Sequence, residues 1–248
     1  MGGLRVRFLR RVRAIVLVVC VLLGAAAPLR AGEPAGQGTD ALVESVLAAY
    51  GGKAALAKVK AYRMEGTVTS VMRGNGALVR TFARPDRLKI TLDYPNHPEA
   101  RILDGTKGWR SDGQGNMPAA AGFLLSSMLL QAARADIPWI LDERRATIKL
   151  LGPMDGGKLQ SLEIPLGDGL TLTVYADTAT GRIVRSSGVL VAPGMKTNFA
   201  TDYSDFRTVD GVLFSFREAN FASNQSTGDT VITRVIVNPE LKDSDFRP

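Results

Sequence analysis

Residues 119–130 read Ala-Ala-Ala-Gly-Phe-Leu-Leu-Ser-Ser-Met-Leu-Leu, and only the two serines are polar. The pattern predicts a helix without the broad polar face of an ordinary surface helix. Twelve helical residues span roughly 18 Å, which is too short for a hydrocarbon core of about 30 Å. The helix belongs to a longer segment, Met117–Leu141, and the segments on both sides of it are typical of strands. We therefore expect an apolar helical insertion in a β-protein, buried by the rest of the chain.

The flanking sequence alternates between apolar and polar residues, as a strand with one wet face does. Leu88, Ile90 and Leu92 alternate with Lys89 and Thr91, and turn residues recur about every eight to twelve positions. This pattern of alternation and turns predicts a mainly β (α+β) protein of ten or eleven strands, in one antiparallel sheet curled into a barrel or half-barrel. Two helices, at 40–50 with Asp40 as the N-cap and at 52–60, precede the sheet.

The apolar insertion has two interpretations that the sequence leaves open. It either completes the protein's own core or covers a cavity that holds an apolar ligand. In the second case the insertion would be a lid, and neighbouring apolar side chains would line a lipid-binding cavity. These candidate lipid-binding residues are Trp109, Phe123, Leu124, Leu125, Met128, Leu129, Leu130, Trp139 and Ile140.

The first 31 residues are predicted to be a signal peptide, followed by a single domain at 32–248. Five arginines between positions 5 and 13 precede an apolar stretch from Ala14 to Ala27, and the segment ends in Ala31. Its removal takes away six arginines, so 25 basic residues remain against 24 acidic ones and the formal charge of +7 falls to about +1. A basic, nucleic-acid-binding protein is therefore not expected. The only cysteine, Cys20, leaves as well, which fits a soluble monomer exported by the Sec route to a bacterial periplasm.

Few residues are candidates for catalysis or for metal binding. His97 is the sole histidine and lies in a Pro-Asn-His-Pro turn, so neither a two-histidine metal site nor a held catalytic histidine is expected. The segment 152–158 matches most of a phosphate-binding loop, but Leu159 replaces the Ser or Thr and a strand pattern follows, which favours a hairpin. Four acids, Asp202, Asp205, Asp210 and Glu218, are not placed across a cleft by their spacing. We expect no enzyme activity, cofactor or metal.

Several short motifs resemble the LolA-type family of periplasmic lipoprotein carriers, also called outer-membrane lipoprotein-sorting proteins. They are spread over nearly all of the chain after the signal peptide. The motifs are Tyr50-Gly51-Gly52-Lys53-Ala54-Ala55-Leu56, Glu65-Gly66-Thr67, Ala83-Arg84-Pro85-Asp86-Arg87-Leu88, Leu103-Asp104-Gly105 with Gly108-Trp109, Tyr203-Ser204-Asp205-Phe206-Arg207, Val209-Asp210-Gly211-Val212-Leu213-Phe214, Val237-Asn238 and Phe246-Arg247-Pro248.

The resemblance implies an open, curved antiparallel half-barrel with helices in its concave face and a cavity for acyl chains. It also implies that Arg84 hydrogen-bonds toward the lid and acts as a latch. The expected function is a carrier that takes up the acyl chains of a lipid or lipoprotein and passes them to a membrane receptor protein, towards the outer membrane. Two alternatives stay open: a sensor or interaction protein that binds a lipid or protein without transport, and an enzyme.

Overall fold

The computed structural model describes residues 35–248, with side chains from residue 38 onward. The predicted signal peptide at 1–31, with Cys20, lies outside the described residues, so the division into signal peptide and single domain stays a prediction. The helices are α1 (Ala35–Ala49), α2 (Gly52–Leu56), α3 (Gly122–Ala135) and α4 (Trp139–Glu143). None of the helices among these residues is both long and apolar enough to cross a membrane.

Thirteen strands form one antiparallel sheet in the described part of the chain. They are β1 (Ala61–Ser70), β2 (Gly74–Ala83), β3 (Arg87–Asp93), β4 (Glu99–Asp104), β5 (Lys107–Arg110), β6 (Ala119–Ala120), β7 (Lys149–Met154), β8 (Leu159–Gly167), β9 (Leu170–Asp177), β10 (Ile183–Ala192), β11 (Met195–Val209), β12 (Val212–Ala222) and β13 (Gln225–Val237). Their order is β6-β5-β4-β3-β2-β1-β13-β12-β11-β10-β9-β8-β7. The end strands β6 and β7 do not pair with each other, so the sheet is open.

The contacts of α3 show that the sheet is strongly curved. This helix touches β4 and β5 near one end of the strand order and β9 and β10 near the other end. Eight strand spacings separate β5 from β10 in that order, which is about 38 Å in a flat sheet. A helix is only about 10 Å across. The sheet therefore curls around α3, and the expectation of a curved half-barrel with an apolar helix on its inner face is confirmed.

Two glycines on opposite arms of the sheet allow α3 to pack closely. A Cβ atom at Gly108 of β5 would lie 3.0 Å from Cδ1 of Leu125, and one at Gly188 of β10 would lie 2.6 Å from Cδ1 of Leu130. Leu130 is almost fully buried, with an exposed fraction of 1%. Packed interiors have little free space to absorb such an overlap. The close fit therefore depends on the missing side chains at these two positions.

Some local expectations differ from the structure. The helix α1 begins at Ala35, so Asp40 is inside it and does not cap it; the Asp40 carboxylate lies 3.5 Å from the Arg145 guanidinium instead. The sheet has thirteen strands, against the expected ten or eleven. One of them, β6, consists of two alanines that the pattern assigns to the helix, but that pair with Gly108 and Trp109. The segment 152–158 does form a hairpin between β7 and β8, as expected.

Substitution of Gly188 by alanine is expected to destabilise the protein by about 1–3 kcal/mol, because the added methyl group overpacks a full core. It would meet Leu130 and lie 3.0 Å from the backbone oxygen of Thr171, which is part of the sheet. The measurement is the free energy of unfolding in urea.

The matched control is Gly38→Ala, inside α1, where the nearest atom is a side-chain carbon of Leu150 at an ordinary 3.4 Å. This variant is expected to be more stable than the wild type by about 0.5–1 kcal/mol. Equal stabilities for Gly188→Ala and the wild type would contradict the tight packing of α3 on β10.

Candidate functional site

A cavity of about 400 Å³ lies on the face of the sheet that carries α3. Its walls come from β1, β2, β3, β11, β12 and β13, and the last turn of α3 contributes Gln131, Arg134 and Ala135. Apolar and aromatic side chains form much of the surface. They include Met64, Leu78, Ile90, Leu92, Phe199, Leu213, Phe214 and Phe221. The volume is within the range of about 300–1,000 Å³ that is typical of sites for small ligands.

None of the nine predicted lipid-binding residues lines this cavity. Met128, Leu130, Trp139 and Ile140 are buried in the main hydrophobic core. Phe123, Leu124, Leu125 and Leu129 are partly buried and pack against the same core, whereas Trp109 packs against a second, smaller cluster around Phe246.

The two interpretations of the insertion therefore apply to different parts of it. From Phe123 to Leu130 the helix packs directly on the sheet and fills the interior, because Gly108 and Gly188 let it approach. In its last turn, at Gln131, Arg134 and Ala135, it borders open space.

A buried ion pair lies in the wall of the cavity. Arg80 of β2 donates two hydrogen bonds to the Glu218 carboxylate of β12, with N–O distances of 2.7 and 2.8 Å. Burial by itself would raise the pKa of Glu218, but the charge and hydrogen bonds of Arg80, with the charge of Arg134, outweigh burial and lower it. Glu218 is the only carboxylate among the described residues that line the cavity. It is therefore held ionised and is not poised to exchange a proton near neutral pH.

Further polar groups form a band around this ion pair. Thr201 donates to Oδ1 of Asn220 at 2.9 Å, and the hydroxyl groups of Tyr203 and Ser186 lie 2.7 Å apart. The Tyr62 hydroxyl donates to the backbone oxygen of Ala135. The cavity wall thus combines apolar side chains with a comparable share of polar groups, which the sequence did not predict.

Two polar side chains on α3 have atoms without a partner. Oε1 of Gln131 and Nε of Arg134 are buried and form no hydrogen bond, although both residues line the cavity. Sequence reasoning missed both residues. A usable signal was present, because positions 131 and 134 lie on one face of a helix at the end of an otherwise apolar run.

Arg84 connects the end of β2 to the helical insertion. Its Nε donates to Oδ1 of Asp136 at 2.9 Å, and its Nη2 donates to Glu143 in α4. Its guanidinium lies 5.0 Å from the ring centroid of Trp139. Arg84 thus contacts Asp136, directly after α3, and the first and last residues of α4. A latch on the insertion would have to hold these parts.

The remaining candidate residues lie elsewhere. Asp202 pairs with Arg185 at 2.8 Å, Asp205 pairs with Arg207 at 2.6 Å, and Asp210 is in the turn between β11 and β12. His97 is exposed in its turn. Within residues 35–248, no group of three or more His, Cys, Asp or Glu side chains is placed to hold a metal ion.

Comparison with known proteins places this arrangement in a fold class. No protein-family profile and no curated protein matches the sequence. Many solved structures match, among them three that cover most of the chain. An outer-membrane lipoprotein-sorting protein domain from Vibrio parahaemolyticus is 12% identical, with a TM-score of 0.54, over 86% of this chain and 97% of that one. A LolA superfamily protein from Nitrosomonas europaea is 9% identical, with a TM-score of 0.57, over 85% and 97%. A DUF1329 family protein from Desulfovibrio piger is 12% identical, with a TM-score of 0.56, over 84% and 97%.

The open antiparallel sheet with helices on its inner face is therefore a LolA-like fold, and the resemblance in the sequence is confirmed at the level of structure. The identities are so low that these matches establish the fold alone. Fold does not determine cargo, so function has to be argued from the cavity.

The carboxyl group of Asp136, which pairs with Arg84, leads us to a prediction about how the stability of the protein depends on pH. Burial raises the pKa of Asp136 to about 7 from an ordinary value of 3.8. The charge of Glu143 raises this pKa further, and the lowering effect of Arg84 does not outweigh the two. The folded state therefore binds a proton between about pH 4 and pH 7 that the unfolded state does not. The contribution of this group to stability is largest below that range and falls as the pH rises through it.

We expect the wild type to lose stability relative to Asp136→Asn as the pH rises from about 4 to about 7, because the asparagine does not ionise. Urea unfolding of both proteins at several pH values across this range measures the difference. A difference that stays constant, or that moves in favour of the wild type with rising pH, would contradict the raised pKa.

Proposed function

We propose that the protein binds the acyl chains of a lipid or lipoprotein in its cavity, shields them from water in the periplasm and passes them to a membrane receptor protein. The observation that carries this proposal is the cavity of about 400 Å³, walled by both apolar and polar strand residues and bordered by the last turn of α3. The LolA-like fold supports it, since two of the similar structures bear the names of a lipoprotein-sorting domain and of the LolA superfamily.

The energetics of such binding are sufficient without any catalytic group. Each methylene group transferred from water contributes about 0.8 kcal/mol, so a long acyl chain contributes on the order of 10 kcal/mol before the costs of association. The carboxylate that lines the cavity, Glu218, is committed to its ion pair with Arg80. The proposal is therefore a carrier and not an enzyme.

On this proposal the insertion acts as a lid that Arg84 latches. The latch would hold the end of α3 and α4 over the cavity through Asp136, Glu143 and Trp139. Movement of α3 away from the sheet would add its apolar side chains, from Phe123 to Leu130, to the surface that the cargo meets. Six of the nine lipid-binding residues predicted from the sequence would thereby join the opened site, whereas Trp109, Trp139 and Ile140 would not.

Filling the cavity is expected to abolish lipid binding. Thr230 of β13 lines the cavity opposite Glu218 with an exposed fraction of 4%, so the ring in Thr230→Phe would occupy the space of the cargo. Lipids extracted from gently purified protein are identified and counted by mass spectrometry. The wild type is expected to carry lipid, and Thr230→Phe at least about tenfold less, given the affinity that an acyl chain contributes.

The matched control is Ala77→Phe, at an exposed position of β2 away from the cavity, which should retain the lipid content of the wild type. The smaller change Thr230→Leu and a thermal unfolding curve show whether loss of lipid follows from filling or from unfolding. A wild type that is consistently empty, or a Thr230→Phe variant with full lipid content, would contradict the carrier. An empty protein that captures one specific partner would support the sensor.

A further inference from the structure

The guanidinium of Arg134 borders the cavity without a carboxylate partner. Its Nη2 donates to the backbone oxygen of Phe199 at 2.7 Å, and its Nε is buried and has no hydrogen-bond partner. A peptide carbonyl accepts a hydrogen bond but carries no full charge to balance the cation. Part of the side chain remains exposed, and it faces the cavity.

The other arginines that line the cavity each have a carboxylate partner. Arg80 donates two hydrogen bonds to Glu218. Arg73 and Arg101 both donate to the buried carboxylate of Glu99, which Arg110 also contacts. Among the described residues that line the cavity, Arg134 is thus the one arginine that forms no ion pair. Positive charge is in excess in this wall, because four arginines and one carboxylate line it.

Burial of this cation is unfavourable. Desolvation lowers the pKa of Arg134, against the raising effects of Tyr203 and Glu218. Buried charged groups in proteins are normally paired, and arginine presents a planar fork of donors that matches a carboxylate or a phosphate. One turn earlier on α3, Oε1 of Gln131 is also buried and unpartnered, and it can accept a hydrogen bond from a hydroxyl group.

We infer that the cavity takes an anionic amphiphile, with its carboxylate or phosphate group bound by Arg134 and its alkyl chain lying among the apolar strand residues. The inference rests on the proposed function and adds a head group to it. The ligand anion supplies the charge that the protein lacks, and the part-exposed guanidinium of Arg134 supplies the donors at the cavity.

The test compares ligands with the same twelve-carbon chain and different heads: dodecanoate, dodecyl phosphate and dodecanol. Displacement of a neutral fluorescent fatty probe at about pH 8, where both acids are ionised, gives each affinity. The wild type is expected to bind the two anions roughly ten- to hundredfold more tightly than the alcohol, the range for a hydrogen bond to a charged group.

Two variants and a control assign this preference to the guanidinium. Arg134→Met should bind all three ligands with the affinity of the alcohol, to within about threefold, whereas Arg134→Lys should keep part of the preference because it keeps the charge. The control is Arg234→Met, on an exposed part of β13, which should behave as the wild type. Inorganic phosphate alone should not displace the probe at the concentrations at which dodecyl phosphate does.

Equal affinities of the wild type for dodecanoate and dodecanol would overturn the inference and leave the carrier proposal intact. Displacement by inorganic phosphate as effective as by dodecyl phosphate would also overturn it, because the anion site would then be independent of the chain. Failure of all three ligands to bind would instead contradict the proposed function, the binding of acyl chains. The comparison within the wild type does not depend on whether a variant folds.

Discussion

The packing of α3 across a curled sheet is the constraint on which the rest of the structure depends. One helix contacts strands that are far apart in the strand order, and it does so through a leucine pressed against a glycine on each arm. This contact sets the distance between the arms. The cavity lies beside the last turn of this helix, where Gln131, Arg134 and Ala135 line it.

The sequence predicted those features that arise from local patterns. Alternation in β3 placed Leu88, Ile90 and Leu92 on the inner face, and all three are buried. The apolar run at 119–130 predicted a buried helix, because a helix without a polar face has to be covered. The LolA-like fold followed from short motifs spread along the chain.

The cavity itself was not predictable in the same way. The pair Arg80 and Glu218 is separated by 138 positions and comes together only through three ladders, those of β2 with β1, β1 with β13 and β13 with β12. Neither the sequence around Arg80 nor the sequence around Glu218 indicates which residue its partner is. Eight of the nine apolar residues chosen from the sequence belong to the helical insertion and pack in or against the main core, and Trp109 packs on a smaller cluster, so other residues line the space.

The open edge of the sheet has a consequence for the range of shapes that the interior can take. A closed barrel has a circumference fixed by the number and stagger of its strands. In this chain β6 and β7 end the sheet without meeting, so its curvature can change while every ladder of hydrogen bonds stays intact. A small spreading of the two arms would therefore change the width of the interior, and the helix between the arms limits how far they can come together.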